Sequence, residues 1–169
     1  MQRIREVEPP SGLKRFFFRL PLRLYQFGLG HLLGGRFVLL RHTGRKSGLA
    51  RQAVLEVIRH DEASHSVLVA SGFGDASDWL RNIRKTPDVA IEYRGDETPR
   101  VARILGRKEA QGEIVGYGRR NPRAAAAVAR VCGWQIDGSE EDLRAFAGEI
   151  RVIAFDLPAV EPFCGTLVI

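Results

Sequence analysis

Residues 37–71, FVLLRHTGRKSGLARQAVLEVIRHDEASHSVLVAS, hold three apolar runs separated by two polar connections. Phe37 to His42, Gln52 to Arg59 and Ser66 to Ser71 have the alternating, β-branched composition of strands. The first connection is rich in glycine and cations, and the second contains Asp61 to Ser64, a turn suited to a hairpin. Strands in succession with short joins predict an antiparallel sheet, because parallel neighbours need a long crossover.

Working outward from this core, Ser77 reads as the N-cap of a short helix through Arg84 that stops before Pro87. Val89 to Tyr93 and Arg100 to Leu105 flank a turn at 94–97 and read as a half-buried antiparallel pair. Lys108 to Gly118 and Pro122 to Val131 read as helices, the second with Asn121 as cap and proline at its first position. A short helix near Glu140 to Phe146 and a strand from Ile150 to Phe155 follow. Upstream, Leu13 to Leu33 is amphipathic, with Phe16, Phe17, Leu20, Leu24 and Phe27 set against Lys14, Arg15, Arg19 and Arg23. Residues 1–12, with Pro9-Pro10-Ser11-Gly12, read as a flexible arm. This order predicts an α+β fold, mainly antiparallel and closed as a barrel, with an N-terminal amphipathic helix and peripheral helices. The domain spans 13–169, with 13–35 as its N-terminal helical segment.

A chain of 169 residues, 44% hydrophobic, suits one core. No apolar run approaches the ~18 residues of a membrane span, and no signal peptide is evident, so a cytoplasmic location is expected. Cys132 and Cys164 lack partners at ligand spacing, which excludes a disulfide framework or a usual zinc site. The net charge of +6 is polarised: residues 1–60 carry 12 Lys and Arg against three acids. This polarity points to an anionic partner for the first third, whether phosphorylated cofactor, lipid headgroup or nucleic acid, or else to a compositional bias toward arginine.

The sharpest chemical signal is Thr43-Gly44-Arg45-Lys46-Ser47-Gly48-Leu49-Ala50-Arg51. Gly44 and Gly48 let the backbone turn and present amides; Ser47 adds a hydroxyl; Arg45, Lys46 and Arg51 offer charge-assisted bonds to phosphate or carboxylate oxygens. The Walker A spacing is absent, so the stretch reads as an anion cradle of another kind or as an ordinary solvated basic turn. Ala70-Ser71-Gly72 ends an apolar strand with small residues, where a flat ring can approach the backbone, and Trp79 and Asn82 follow on the capped helix. Trp79 also suits a core anchor, and Asn82 a backbone hydrogen bond. No serine-hydrolase elbow or H-E-x-x-H motif occurs, and of the four histidines only His42 adjoins the cradle. A bound cofactor is therefore expected to carry any chemistry.

L-x-x-T-G-R-K-S-G-x-x-R at 40–51, V-A-S-G-F-G at 69–74, D-W-x-x-N-I at 78–83, Pro87, and Tyr117 before Asn121-Pro122 form an ordered series. It resembles the deazaflavin-dependent nitroreductase family over about residues 20–133. The resemblance implies a split β-barrel related to flavin-nucleotide oxidoreductases. It further implies hydride transfer from reduced 8-hydroxy-5-deazaflavin coenzyme F-420 to a quinone, nitroaromatic or activated alkene. On that likeness Gly44, Arg45, Lys46, Ser47, Gly48 and Arg51 hold the phosphate and acidic tail. Ala70, Ser71 and Gly72 lie along the ring, Trp79 and Asn82 shape the pocket wall, and Tyr117 faces substrate. Ser71, Tyr117 or water delivers the proton. Some members show several tyrosines near Tyr117, whereas here Arg119 and Arg120 follow it.

Flavin mononucleotide on the same barrel is the alternative cofactor. A second reading makes residues 13–33 a peripheral membrane contact through a basic amphipathic helix. Nucleic acid is not expected as a partner, since no stacking aromatics interleave the cations of 41–51. A small-molecule electron acceptor is expected, and a homodimer by analogy with related barrels.

Overall fold

The computed structural model describes residues 1–4 and 34–159. The amphipathic segment 13–33, residues 5–12 of the expected arm, and Cys164 lie outside the described residues. The strands are β1 (Gln2–Arg3), β2 (Phe37–Thr43), β3 (Ala50–His60), β4 (Val67–Ser71), β5 (Asp88–Tyr93), β6 (Asp96–Ile104), β7 (Trp134–Gln135) and β8 (Arg151–Asp156). The helices are α1 (Asp78–Lys85), α2 (Arg107–Arg120), α3 (Pro122–Val131) and α4 (Glu140–Glu149). Six strands close a barrel in the order β2-β3-β4-β8-β6-β5, and every pairing is antiparallel. This is the α+β split barrel.

Alternation along the strands sorts two cores. Inward-facing Val38, Leu40, Leu55, Val69, Ile91 and Phe155 fill the barrel, joined by Leu80 and Ile83 of α1. Leu80 and Ile83 stand three residues apart on one helical face, so α1 buries that face while Asp78, Arg81, Arg84 and Lys85 stay exposed. On the outer side, Leu68, Val152 and Ala154 meet Ile114, Ala129, Leu143 and Phe146 of the three later helices.

Three local features differ from the sequence reading. Residues 2–3 pair with β7, and Ile4 N–H donates to Gly133 O at 2.9 Å, so the start of the arm is a strand. The Met1 amino group meets Asp142 there, giving the ladder a charged anchor. The β5–β6 turn is only Arg94-Gly95, both with positive φ (56° and 99°), and Asp96 already pairs with Tyr93. Ser77 precedes α1 without capping it through its side chain, whereas Ser139 accepts Asp142 N–H at 3.2 Å at the start of α4.

Candidate functional site

The β2–β3 ladder ends at Thr43 opposite Ala50, and the turn between them is tied internally. Gly44 N–H donates to Leu49 O at 2.8 Å, and Gly48 N–H to Gly44 O at 2.8 Å. Gly48 has φ +69°, a left-handed conformation that glycine adopts without strain. Lys46, Ser47, Gly48 and Arg51 are exposed at this turn.

The cradle residues divide into two kinds. Arg45 turns back onto α1: its backbone N–H donates to Asn82 Oδ1 at 3.1 Å, and its guanidinium to the same oxygen at 3.0 Å and to Asp78 Oδ1 at 3.0 Å. Lys85 Nζ donates to Arg45 O at 2.9 Å, closing the link from the last turn of the helix. Arg45 and Asn82 thus fasten the turn to the barrel. Lys46 and Arg51 make no ion pair among the described residues, and their charges are available to an anion.

Asn82 also reaches His42, with Nδ2 3.2 Å from the imidazole Nδ1. Both residues are buried, and burial is the main force holding the His42 pKa below its ordinary value. Trp79 is half-buried against the barrel core, the anchor role that its helical position allowed.

The end of β4 forms a second region. Ser71 is 2% exposed; its hydroxyl donates to Gly74 O at 3.2 Å and lies 2.7 Å from Ser77 Oγ. A serine has one proton to give, so Ser77 donates to Ser71. Ser71 therefore holds the 72–77 loop, and its hydroxyl is committed within it. Ser71→Ala is expected to cost about 1 kcal/mol of stability by urea unfolding while coenzyme affinity is retained.

Gly72 lies against Cys132: a Cβ at 72 would sit 2.4 Å from Cys132 Sγ. Burial, and then the Glu56 charge, push the Cys132 thiol up to about 11. The same carboxylate accepts the Tyr117 phenol at 3.0 Å, and Arg36 Nη2 approaches its Oε1 at 3.5 Å. Tyr117 is 5% exposed, and burial followed by Glu56 drives its ionisation above the ordinary tyrosine range. Glu56, absent from the sequence reading, is the single charge in the run Ala53 to Ile58, a signal that could have flagged it. It pairs with Phe37, at the far end of the hairpin from Ala50. Six residues of strand separate Ala50 and Glu56, about 20 Å. Tyr117 and the cradle therefore occupy opposite ends of one hairpin. Among the described residues no group of three His, Cys, Asp or Glu side chains could hold a metal ion.

The barrel has the fold of several solved structures. It is similar to a pyridoxamine 5'-phosphate oxidase-related, FMN binding protein from Nostoc punctiforme, with TM-score 0.53, 12% identity, and 87% of this chain and 81% of that one covered. It is also similar to a structure described as a domain-swapped dimer, with TM-score 0.52, 18% identity, and 86% and 100% covered. An F420-H2 dependent reductase matches with TM-score 0.48, 22% identity, and 72% and 94% covered. No curated protein sequence matches the chain significantly. A family profile, "F420H(2)-dependent quinone reductase", matches residues 22–124. The chain belongs to that family and is an oxidoreductase; the series of motifs from residue 40 to 122 falls entirely within the matched stretch.

Proposed function

We propose that the protein binds coenzyme F-420 along the β2–β3 hairpin and passes its hydride to a quinone. Bound there, the coenzyme supplies hydride; the chain's own residues bind, orient and shield it. Lys46, Ser47 and Arg51 hold the phosphate and carboxylate tail, while Arg45, Asn82 and Lys85 keep their turn in place. Ala70 and Gly72 give the flat ring a backbone without side-chain bulk, and Trp79 stiffens α1 behind the loop. The single observation that carries this reading is the pair of exposed cations, Lys46 and Arg51, beside the Ser47 hydroxyl on a turn that Arg45, Asn82 and Lys85 fasten to α1. A ligand with an acidic tail suits that arrangement. Two uncommitted cations with a hydroxyl also favour a tail more anionic than the single phosphate of flavin mononucleotide.

Proton delivery falls to water or to the Tyr117 and Glu56 pair, since the Ser71 hydroxyl is already engaged. Removing the Glu56 charge stabilises the phenolate, so Glu56→Gln lowers the pH at which Tyr117 ionises. Phenolate absorbance of that variant, with Tyr117→Phe as blank, checks the direction; an unchanged or higher midpoint contradicts it.

The functional test is oxidation of reduced coenzyme F-420 under anaerobic conditions with a quinone, a nitroaromatic or an activated alkene as acceptor. The account expects the largest kcat/KM for the quinone. No turnover with any quinone contradicts it. A second copy of the chain belongs to the same proposal, motivated by the relative described as a domain-swapped dimer, and sedimentation equilibrium reads it directly.

A further inference from the structure

We infer that His42 is a positioning residue for the coenzyme's acidic tail: its unprotonated Nδ1 accepts the Asn82 NH2 and so keeps the amide turned toward Arg45, where it holds the cradle. The inference rests on the functional reading above, because it takes the tail as the cradle's ligand. Asn82 is 6% exposed and its two ends are chemically distinct. One end receives two donors from Arg45, the backbone N–H at 3.1 Å and the guanidinium at 3.0 Å, so it must be the carbonyl. The other end is then the NH2 group, which only donates, and it lies 3.2 Å from His42 Nδ1. His42 must accept there, which places its proton on Nε2.

A second proton on the ring would set N–H against NH2 inside a buried contact. Relief requires the amide to turn over, and the turned amide presents NH2 to the Arg45 N–H and guanidinium. One protonation event thus breaks the two Asn82 bonds that hold Arg45 to α1, leaving only its links to Asp78 and Lys85. The charged groups around the ring are Arg51, its register partner on β3, and, beyond Asn82, Arg45 with Asp78 and Lys85 on α1. Burial lowers the proton affinity of His42 most, the Thr43 carbonyl opposes it, and Arg51 lowers it further. The ring is neutral near neutral pH, and the latch is closed.

Protonation has two opposed effects. It adds positive charge next to an anion site, which strengthens binding, and it opens the latch, which weakens binding. The inference holds that the second dominates, and the sign of the pH effect decides. His42→Asn keeps an acceptor oxygen close to the Nδ1 position; His42→Leu removes it.

The experiment titrates coenzyme F-420 fluorescence with wild type, His42→Asn and His42→Leu across a pH series, alongside ring-nitrogen NMR of His42. The expected result is the Nε2–H tautomer in the free protein and wild-type affinity that falls as the ring protonates. His42→Asn should bind within about threefold of wild type at neutral pH and lack that limb, while His42→Leu should bind about tenfold or more weakly. The asparagine variant in the same buffers cancels ionisation of the coenzyme itself. An Nδ1–H tautomer, tighter binding on protonation, or equal affinity of the leucine variant overturns the latch while leaving the functional reading intact. A wild-type protein that does not bind the coenzyme overturns the functional reading and the latch's role in binding together.

Discussion

Lys46→Ala combined with Arg51→Ala is expected to weaken coenzyme F-420 binding by about 100-fold or more, with little change in Tm. A hydrogen bond to a charged partner contributes roughly 1.5–3 kcal/mol, so losing two removes about 3–6 kcal/mol of binding energy. Both side chains are exposed and make no ion pair among the described residues, so the folded state loses nothing comparable. Arg45→Ala should behave differently. It removes the guanidinium bonds to Asn82 and Asp78 that fasten the turn to α1, and so lowers stability and affinity together. Isothermal titration beside thermal unfolding separates the two patterns. A Lys46→Ala, Arg51→Ala protein that binds as tightly as wild type removes the free cations from the site.

Gly72→Ala is the second large effect, about 1–3 kcal/mol of stability together with loss of ring binding. The new methyl group would stand 2.4 Å from Cys132 Sγ, so either the 72–77 loop or the end of α3 must shift. The loop is held from within by the Ser71 and Ser77 hydroxyls, and the displacement passes to the strand end on which the ring is proposed to lie. Cys132→Ala removes the obstructing sulfur, so the double variant Gly72→Ala, Cys132→Ala should recover most of the lost stability. Urea unfolding of the four proteins in this cycle measures the coupling. Additive losses contradict a steric cause.

The barrel was legible because Phe37 to His42 and Ser66 to Ser71 alternate or run apolar between short polar turns, which leaves few ways to pair them. The limits of β3 were less so: Arg51 and Gln52 are polar and exposed, yet they continue the ladder to Ala50 because β2 is there to bond them. Asp96 and Glu97 read as turn for the same reason, since an exposed strand start carries no hydrophobic period. The pairing of Gln2–Arg3 with Trp134–Gln135 joins two-residue strands far apart in sequence, too short for any periodicity to register. In the site, the concentration of cations around Gly44 and Gly48 was visible, but the division between them was not. Only the approach of Asn82 and Asp78 from α1 distinguishes the engaged Arg45 from the free Lys46 and Arg51. Glu56 and Tyr117 meet across 61 residues, a contact no local pattern encodes.

The most direct measurement is a pair of fluorescence titrations of the purified protein, one with oxidised coenzyme F-420 and one with flavin mononucleotide, each repeated at raised salt. The account predicts tight, salt-sensitive binding of the deazaflavin coenzyme, markedly weakened in the Lys46→Ala, Arg51→Ala protein, and weaker binding of flavin mononucleotide. Preference for flavin mononucleotide, or deazaflavin binding indifferent to those two cations, would contradict it.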